Sequence, residues 1–104
     1  MTEKITVIVV DDSAFMRKVI SDLLAADPAI EVVGTARDGL DAIEKIGQFA
    51  PRVVTLDVEM PRMDGLTALR EILHRYRVAV VMVSSLTREG AETTIQALAQ
   101  GAVD

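Results

Sequence analysis

The sequence Ile-Thr-Val-Ile-Val-Val at residues 5–10 runs directly into Asp11 and Asp12, and this junction decides how the chain is interpreted. A short run of β-branched, mostly apolar residues is typical of a strand buried on both faces, as in a parallel sheet covered by helices. Three further runs of the same type occupy residues 31–36, 52–56 and 78–83. The sequence therefore predicts four buried strands.

Apolar residues at helical spacing fill the segments between these strands. They are Met16, Val19, Ile20, Leu23 and Leu24 in the first segment, Leu40, Ile43 and Ile46 in the second, and Leu66, Leu69, Ile72, Leu73 and Tyr76 in the third. A fourth helix is predicted over residues 88–100, and Ser13, Asp38 and Asp64 are candidate N-caps of the first three helices. Alternating strands and helices predict an α/β domain, because right-handed crossovers place helices on both faces of a parallel sheet.

Composition limits the class of protein. A chain of 104 residues that is 50% hydrophobic and 26% charged is expected to form one globular domain. The net charge of −5 argues against a nucleic-acid partner or an anionic membrane surface. The chain contains no Cys, which excludes disulfides and thiolate chemistry, and its start has no signal-peptide pattern. We therefore expect a cytoplasmic domain.

Acidic and hydroxyl side chains follow three of the predicted strands. Asp11 and Asp12 end the first strand, Asp57 ends the third, and Ser84 and Ser85 follow the fourth. Because ligands gather at the carboxyl ends of parallel strands, we expect these groups to converge. Three close carboxylates repel one another unless one is protonated or a cation joins them, and so few oxygen ligands favour Mg²⁺ over Ca²⁺, with Mn²⁺ as a substitute.

A carboxylate beside Mg²⁺ can act as a nucleophile toward phosphorus and form an acyl phosphate. Ser84 could then hold the phosphoryl group. The alternative for any single Asp is that it only caps the helix that follows it. A phosphatase with an aspartyl nucleophile is less favoured, because residue 59, two positions after Asp57, is Glu rather than a second Asp.

Three motifs carry a family resemblance: Val-Asp-Asp-Ser at 10–13, Leu-Asp-Val-Glu-Met-Pro at 56–61 and Met-Asp-Gly-Leu at 63–66. Through them the whole chain resembles the receiver domain of two-component response regulators. The sequences of residues 11–17, 57–67 and 83–87 are most similar to those of receivers of chemotaxis protein-glutamate methylesterases. The resemblance implies a flavodoxin-like, three-layer α/β/α fold with strand order 2-1-3-4 and residues 1–104 as one receiver domain.

The resemblance also implies roles for individual residues. Asp57 would be the phosphoacceptor, and Asp12 and Asp57 would bind Mg²⁺ directly. Asp11 would bind the ion mainly through water, and the backbone carbonyl of Glu59 would complete the protein ligands. Ser84 matches the switch hydroxyl, which moves toward the phosphoryl group.

The implied partner is a histidine kinase of the chemotaxis system, and the implied output is control of an attached methylesterase that acts on chemoreceptors. A receiver with a DNA-binding output, or one that stands alone as an adaptor, is the alternative. Receivers continue into a fifth strand carrying a Lys, so we expect residues 1–104 to be C-terminally incomplete and to lack the methylesterase active site. The strand over residues 78–83 would then be an exposed edge open to dimerisation or strand exchange.

Overall fold

The computed structural model describes residues 4–57 and 65–83. Its elements are β1 (Ile5–Val10), α1 (Ala14–Ala25), β2 (Ile30–Ala36), α2 (Gly39–Phe49), β3 (Val53–Asp57), α3 (Gly65–Arg75) and β4 (Ala79–Val83). The four predicted strands and the first three predicted helices are confirmed, with strand boundaries that differ by one residue at most. The helix predicted over residues 88–100 and the Asp64 cap lie outside the described residues.

The four strands form one parallel sheet in the order β2-β1-β3-β4. Val10 of β1 pairs with Ala36 of β2 on one side and with Leu56 of β3 on the other. The chain moves from β1 outward to β2 and then returns to place β3 on the opposite side of β1. The strand order therefore reverses at β1, and ligand sites in such sheets lie beyond the carboxyl ends of the strands at this point.

The hydrophobic core lies between one face of the sheet and the helices α2 and α3. Strand residues that alternate along β1, β3 and β4 supply one side of this core, and the two helices supply the other. The buried members are Ile8, Val10, Ala36, Ala42, Ile46, Val54, Leu56, Ala68, Leu69, Ile72, Val80 and Met82. All four of the predicted strands thus contribute buried residues, as their apolar composition indicates.

Helix α1 contacts β1 and β2 on the other face and is less deeply buried. None of its residues is fully buried, and Leu23 and Met16 are 70% and 38% exposed. The sheet residues Val7 and Val9 beneath this face are nevertheless buried. Helical spacing therefore predicts the helix correctly, but it does not predict how much of the apolar side of α1 stays accessible.

Short polar contacts set the helix starts. The hydroxyl of Ser13 accepts a hydrogen bond from the backbone N–H of Met16 at 3.2 Å, and the carboxylate of Asp38 accepts one from Asp41 at 2.8 Å. These contacts confirm Ser13 and Asp38 as N-caps. In the described residues, no helix is long and apolar enough to cross a membrane.

Candidate functional site

Three carboxylates meet at the carboxyl edge of the sheet. Because Val10 pairs with Leu56, the residues that follow them, Asp11 and Asp57, end adjacent strands side by side. The carboxylate oxygens of Asp11, Asp12 and Asp57 all lie within 4.8 Å of one another. We call these three residues the acidic cluster. The convergence predicted from the sequence is confirmed.

The backbone around Asp11 is held on three sides. Its N–H donates to the carbonyl of Ala36 at 3.0 Å, which extends the pairing of β1 with β2 by one residue. Its carboxylate accepts a hydrogen bond from the N–H of Ser13 at 2.9 Å, and its carbonyl accepts one from Arg17 Nη1 at 2.8 Å. These bonds fix the turn between β1 and α1 and therefore the direction of the Asp11 side chain.

The three carboxylates differ in burial. Asp11 is 5% exposed, whereas Asp57 is half-buried and Asp12 is exposed. Asp11 therefore forms the floor of the cluster and Asp12 its solvent side. An ion entering from solvent would meet the exposed carboxylate of Asp12.

Burial raises the pKa of Asp11, because a charged carboxylate is poorly solvated there. The hydrogen bond from the Ser13 N–H acts in the opposite direction, while the charge of Asp12 and a hydrogen bond with its carboxyl raise the pKa further. The positive charge of Arg17 lowers it, as the last and smallest effect. The protein alone thus leaves negative charge at this site incompletely balanced.

The alternative that an Asp after a strand only caps the following helix does not hold for the two Asp residues after β1. Ser13, and not Asp11 or Asp12, is the N-cap of α1, so the two carboxylates are not needed to satisfy the start of that helix. Asp38 is an acidic cap, and it lies at the start of α2 rather than in the cluster. The residues of the cluster therefore require another explanation.

The donor set of the cluster fits a hard divalent cation. It consists of carboxylate oxygens only, and three ligands leave several coordination positions for water or a substrate oxygen, which is the arrangement Mg²⁺ prefers. A cation at this place would also stabilise the ionised carboxylate of Asp11, whose pKa is raised by burial and by the charge of Asp12. The acidic cluster is thus the type of site in which receivers hold Mg²⁺.

Two of the predicted site residues, Glu59 and Ser84, lie outside the described residues, as does Ser85. Conversely, sequence reasoning did not assign a place to Arg17, whose guanidinium reaches the Asp11 carbonyl. Its signal in the sequence is its position one turn after the Ser13 cap, which directs a long side chain back toward the preceding strand end.

A family model described as the response regulator receiver domain matches residues 7–104. The chain belongs to this family. The receiver match includes most of β1, the three helices and the whole acidic cluster. It confirms the resemblance found in the motifs at residues 10–13, 56–61 and 63–66.

Among curated proteins, the receiver chain is 68% identical over 100 residues to a protein-glutamate methylesterase/protein-glutamine glutaminase of Symbiobacterium thermophilum. It is 62% identical over 104 residues to the protein of the same description from Pyrococcus horikoshii. The match includes 96% and 100% of this chain, respectively. However, the chain spans only 28% of the length of each of these relatives.

Solved structures agree with the receiver fold. The response regulator domain of Thermotoga maritima CheB superposes with a TM-score of 0.90 at 52% identity, over 98% of this chain and 76% of that one. A CheX-CheY-BeF3-Mg+2 complex from Borrelia burgdorferi contains a chain that matches with a TM-score of 0.82 at 31% identity, over 96% of this chain and 75% of that one. The predicted flavodoxin-like architecture with strand order 2-1-3-4 is thus confirmed.

Proposed function

We propose that this receiver chain accepts a phosphoryl group on Asp57, with Mg²⁺ held by Asp11, Asp12, Asp57 and the backbone carbonyl of Glu59. The observation that carries the proposal is the acidic cluster, whose carboxylate oxygens lie within 4.8 Å of one another at the switch point of the sheet. Membership of the receiver family supports a histidine kinase as the phosphodonor. The CheX-CheY-BeF3-Mg+2 complex from Borrelia burgdorferi supports the same chemistry.

In the proposed reaction, a carboxylate oxygen of Asp57 attacks the phosphorus of a phosphohistidine. A P–O bond forms as the P–N bond breaks, and the electron pair of that bond leaves with the imidazole nitrogen. The product is an acyl phosphate on Asp57. A small donor such as acetyl phosphate would react in the same way, with acetate as the leaving group.

The other residues of the site prepare this step. When bound, Mg²⁺ neutralises charge on the carboxylates and the phosphoryl oxygens. Asp12 supplies an accessible carboxylate, and Asp11 a buried one whose orientation the Ser13 N–H fixes. Arg17 holds the carbonyl of Asp11 and so steadies the turn that carries both carboxylates. Asp57 is half-buried, so part of the residue is accessible to solvent.

We further propose that Ser84 acts as the switch hydroxyl that binds the phosphoryl group and that phosphorylation controls an attached protein-glutamate methylesterase. The two curated relatives described above support this output, since both are described as methylesterases and both are far longer than this chain. The phosphodonor would then be the chemotaxis kinase, with chemoreceptors affected indirectly. Residues 1–104 would serve as the receiver domain and contain no methylesterase groups of their own.

Phosphoryl uptake tests the assignment of Asp57. After incubation with acetyl phosphate and Mg²⁺, the intact mass of the wild-type chain should rise by one phosphoryl group, and Asp57→Asn should show no increase because its amide is not a nucleophile. Asp22→Asn is the matched control, because Asp22 is an exposed carboxylate of α1 that forms an ion pair with Lys18. Equal labelling of wild type and Asp57→Asn would refute the assignment.

A further inference from the structure

A polar cavity lies near the acidic cluster, at the carboxyl end of the edge strand β2. Its volume is about 350 Å³, and its lining consists of Arg17, Thr35, Arg37, Asp41 and Lys45. We call it the basic groove. Its residues come from α1, β2, the loop after β2, and α2, so that the groove spans the edge of the sheet.

Hydrogen bonds hold most of the groove in place. The amine of Lys45 donates to the carbonyl of Thr35 at 2.7 Å and lies 3.8 Å from the carboxylate of Asp41. The same carboxylate oxygen accepts a hydrogen bond from the backbone N–H of Arg37 at 3.2 Å. Arg17 is anchored at the opposite wall by its bond to the Asp11 carbonyl. The groove is therefore organised by contacts within the chain.

The charge in the groove is opposite to that of the chain. Three cations against one carboxylate leave two positive charges in the groove, whereas the chain as a whole carries a net charge of −5. Asp41 is already shared between Lys45 and the backbone of Arg37. Within the described ranges 4–57 and 65–83, the guanidinium of Arg37 makes no hydrogen bond or ion pair. Its donors are available to a ligand.

The contacts also indicate which kind of ligand fits. Lys45 covers the Thr35 carbonyl on the free edge of β2, which disfavours the addition of a further strand there. Arginine guanidinium groups bind phosphate oxygens through paired, charge-assisted hydrogen bonds. A phosphate dianion matches the two unbalanced positive charges, which a single carboxylate does not.

We propose that the basic groove binds a small, soluble compound through its phosphate group, with Arg37 and Arg17 as the principal ligands. This site is separate from the acidic cluster, whose carboxylates would repel the same anion. The proposal stands independently of phosphorylation at Asp57, since it uses neither Mg²⁺ nor the Asp57 carboxylate.

Titration with inorganic phosphate tests the groove. The probe is added to the ¹⁵N-labelled chain at pH 8 without Mg²⁺, at constant ionic strength, and amide shifts are followed by NMR. We expect saturable shifts centred on Thr35, Arg37 and Lys45, with an affinity in the range of about 1 mM for so open a site. Acetate at the same ionic strength should produce shifts that are much smaller and do not saturate.

Two variants separate a site from general charge attraction. Arg37→Gln should weaken phosphate binding about tenfold, because it removes the charged donors without disturbing an internal contact. Arg52→Gln is the matched control, since Arg52 is an exposed arginine before the amino end of β3, whereas the groove lies at the carboxyl end of β2. The affinity of Arg52→Gln for phosphate should equal that of the wild type. Three outcomes would each overturn the proposal: amide shifts that do not saturate with phosphate, binding of acetate equal to that of phosphate, or the same phosphate affinity in Arg37→Gln and Arg52→Gln.

Discussion

At the scale of single residues, Asp11 connects the fold to the site. It is among the few buried charged residues in the described part of the chain, and its carboxylate lies beside two others. Its main-chain N–H and carbonyl both take part in fixing the first strand end, through Ala36 and Arg17. The backbone of Asp11 thus stabilises the turn, while its ionised side chain opposes folding unless a cation is bound.

Because the ionised side chain of Asp11 opposes folding, replacing Asp11 should raise the stability of the chain, and the gain should depend on pH. Burial raises the pKa of Asp11 above the unfolded value of 3.8, so the folded chain loses stability as the pH rises from 3.8 through the folded-state pKa, and the loss is complete above that pKa. Without divalent ions, Asp11→Asn should therefore melt at a higher temperature than the wild type at pH 7. The difference should disappear as the pH falls through the raised pKa toward 3.8.

Thermal unfolding followed by circular dichroism at several pH values measures this effect. Asp22→Asn, which changes an exposed carboxylate of α1, should leave the pH profile unchanged. Addition of Mg²⁺ should stabilise the wild type more than Asp11→Asn, because only the wild type keeps all three carboxylates. A lower melting temperature of Asp11→Asn at pH 7 in EDTA would contradict the role of burial assigned here.

At the scale of elements, α2 shows how local rules and packing combine. Asp38 caps its start, and Ala50 ends it with a left-handed backbone at φ 47°, which residues other than Gly and Asn rarely adopt. Within the helix, Gly47 lies close to a neighbour: a Cβ there would lie 2.8 Å from the hydroxyl oxygen of Tyr76, so the Tyr76 side chain would have to shift. That hydroxyl donates to the carbonyl of Ile43 at 3.5 Å, which links the residue after α3 to the middle of α2.

The left-handed residue predicts a stabilising substitution. Ala50→Gly should raise the free energy of unfolding by about 0.5–1 kcal/mol, because glycine adopts this conformation without a Cβ clash. Ala25→Gly, in the last turn of α1, is the control and should lower it by about 1 kcal/mol, since glycine destabilises regular helix. Urea unfolding of the wild type, Ala50→Gly and Ala25→Gly measures both changes in the free energy of unfolding. Destabilisation by both substitutions would show that Ala50 is not strained.

At the scale of the whole molecule, the two faces of the sheet are unequal. The face under α2 and α3 holds the buried cluster, which includes Ile72 and Ile46. The face under α1 is less protected, and α1 contributes exposed apolar side chains at Phe15 and Leu23. The stability of the described part of the chain should therefore depend mainly on the α2 and α3 face.

Paired truncations test this difference. Ile72→Ala removes a fully buried side chain and should lower the free energy of unfolding by about 2–5 kcal/mol. Leu23→Ala removes a side chain that is 70% exposed and should change it by no more than about 0.5 kcal/mol. Urea midpoints at fixed protein concentration measure both. A loss at Leu23 as large as that at Ile72 would mean that the α1 face is covered in solution.

Local sequence was sufficient for the elements. The β-branched runs predicted four strands, helical spacing predicted the three helices between them, and Ser13 and Asp38 were identified as caps. Each of these signals acts over a few neighbouring residues, so it is readable without knowledge of the fold. The acidic cluster was also predictable, because a parallel sheet must bring its carboxyl ends to one edge.

Tertiary structure alone decided the rest. The accessibility of Leu23 depends on which layer covers α1, and the 5% exposure of Asp11 depends on the packing of β1 between β2 and β3. The basic groove unites Arg17, Arg37 and Lys45, whose meeting depends on how α1 and α2 reach the edge of β2. Periodicity determines which side of an element is apolar, but only the assembled layers determine which charges are buried or become neighbours.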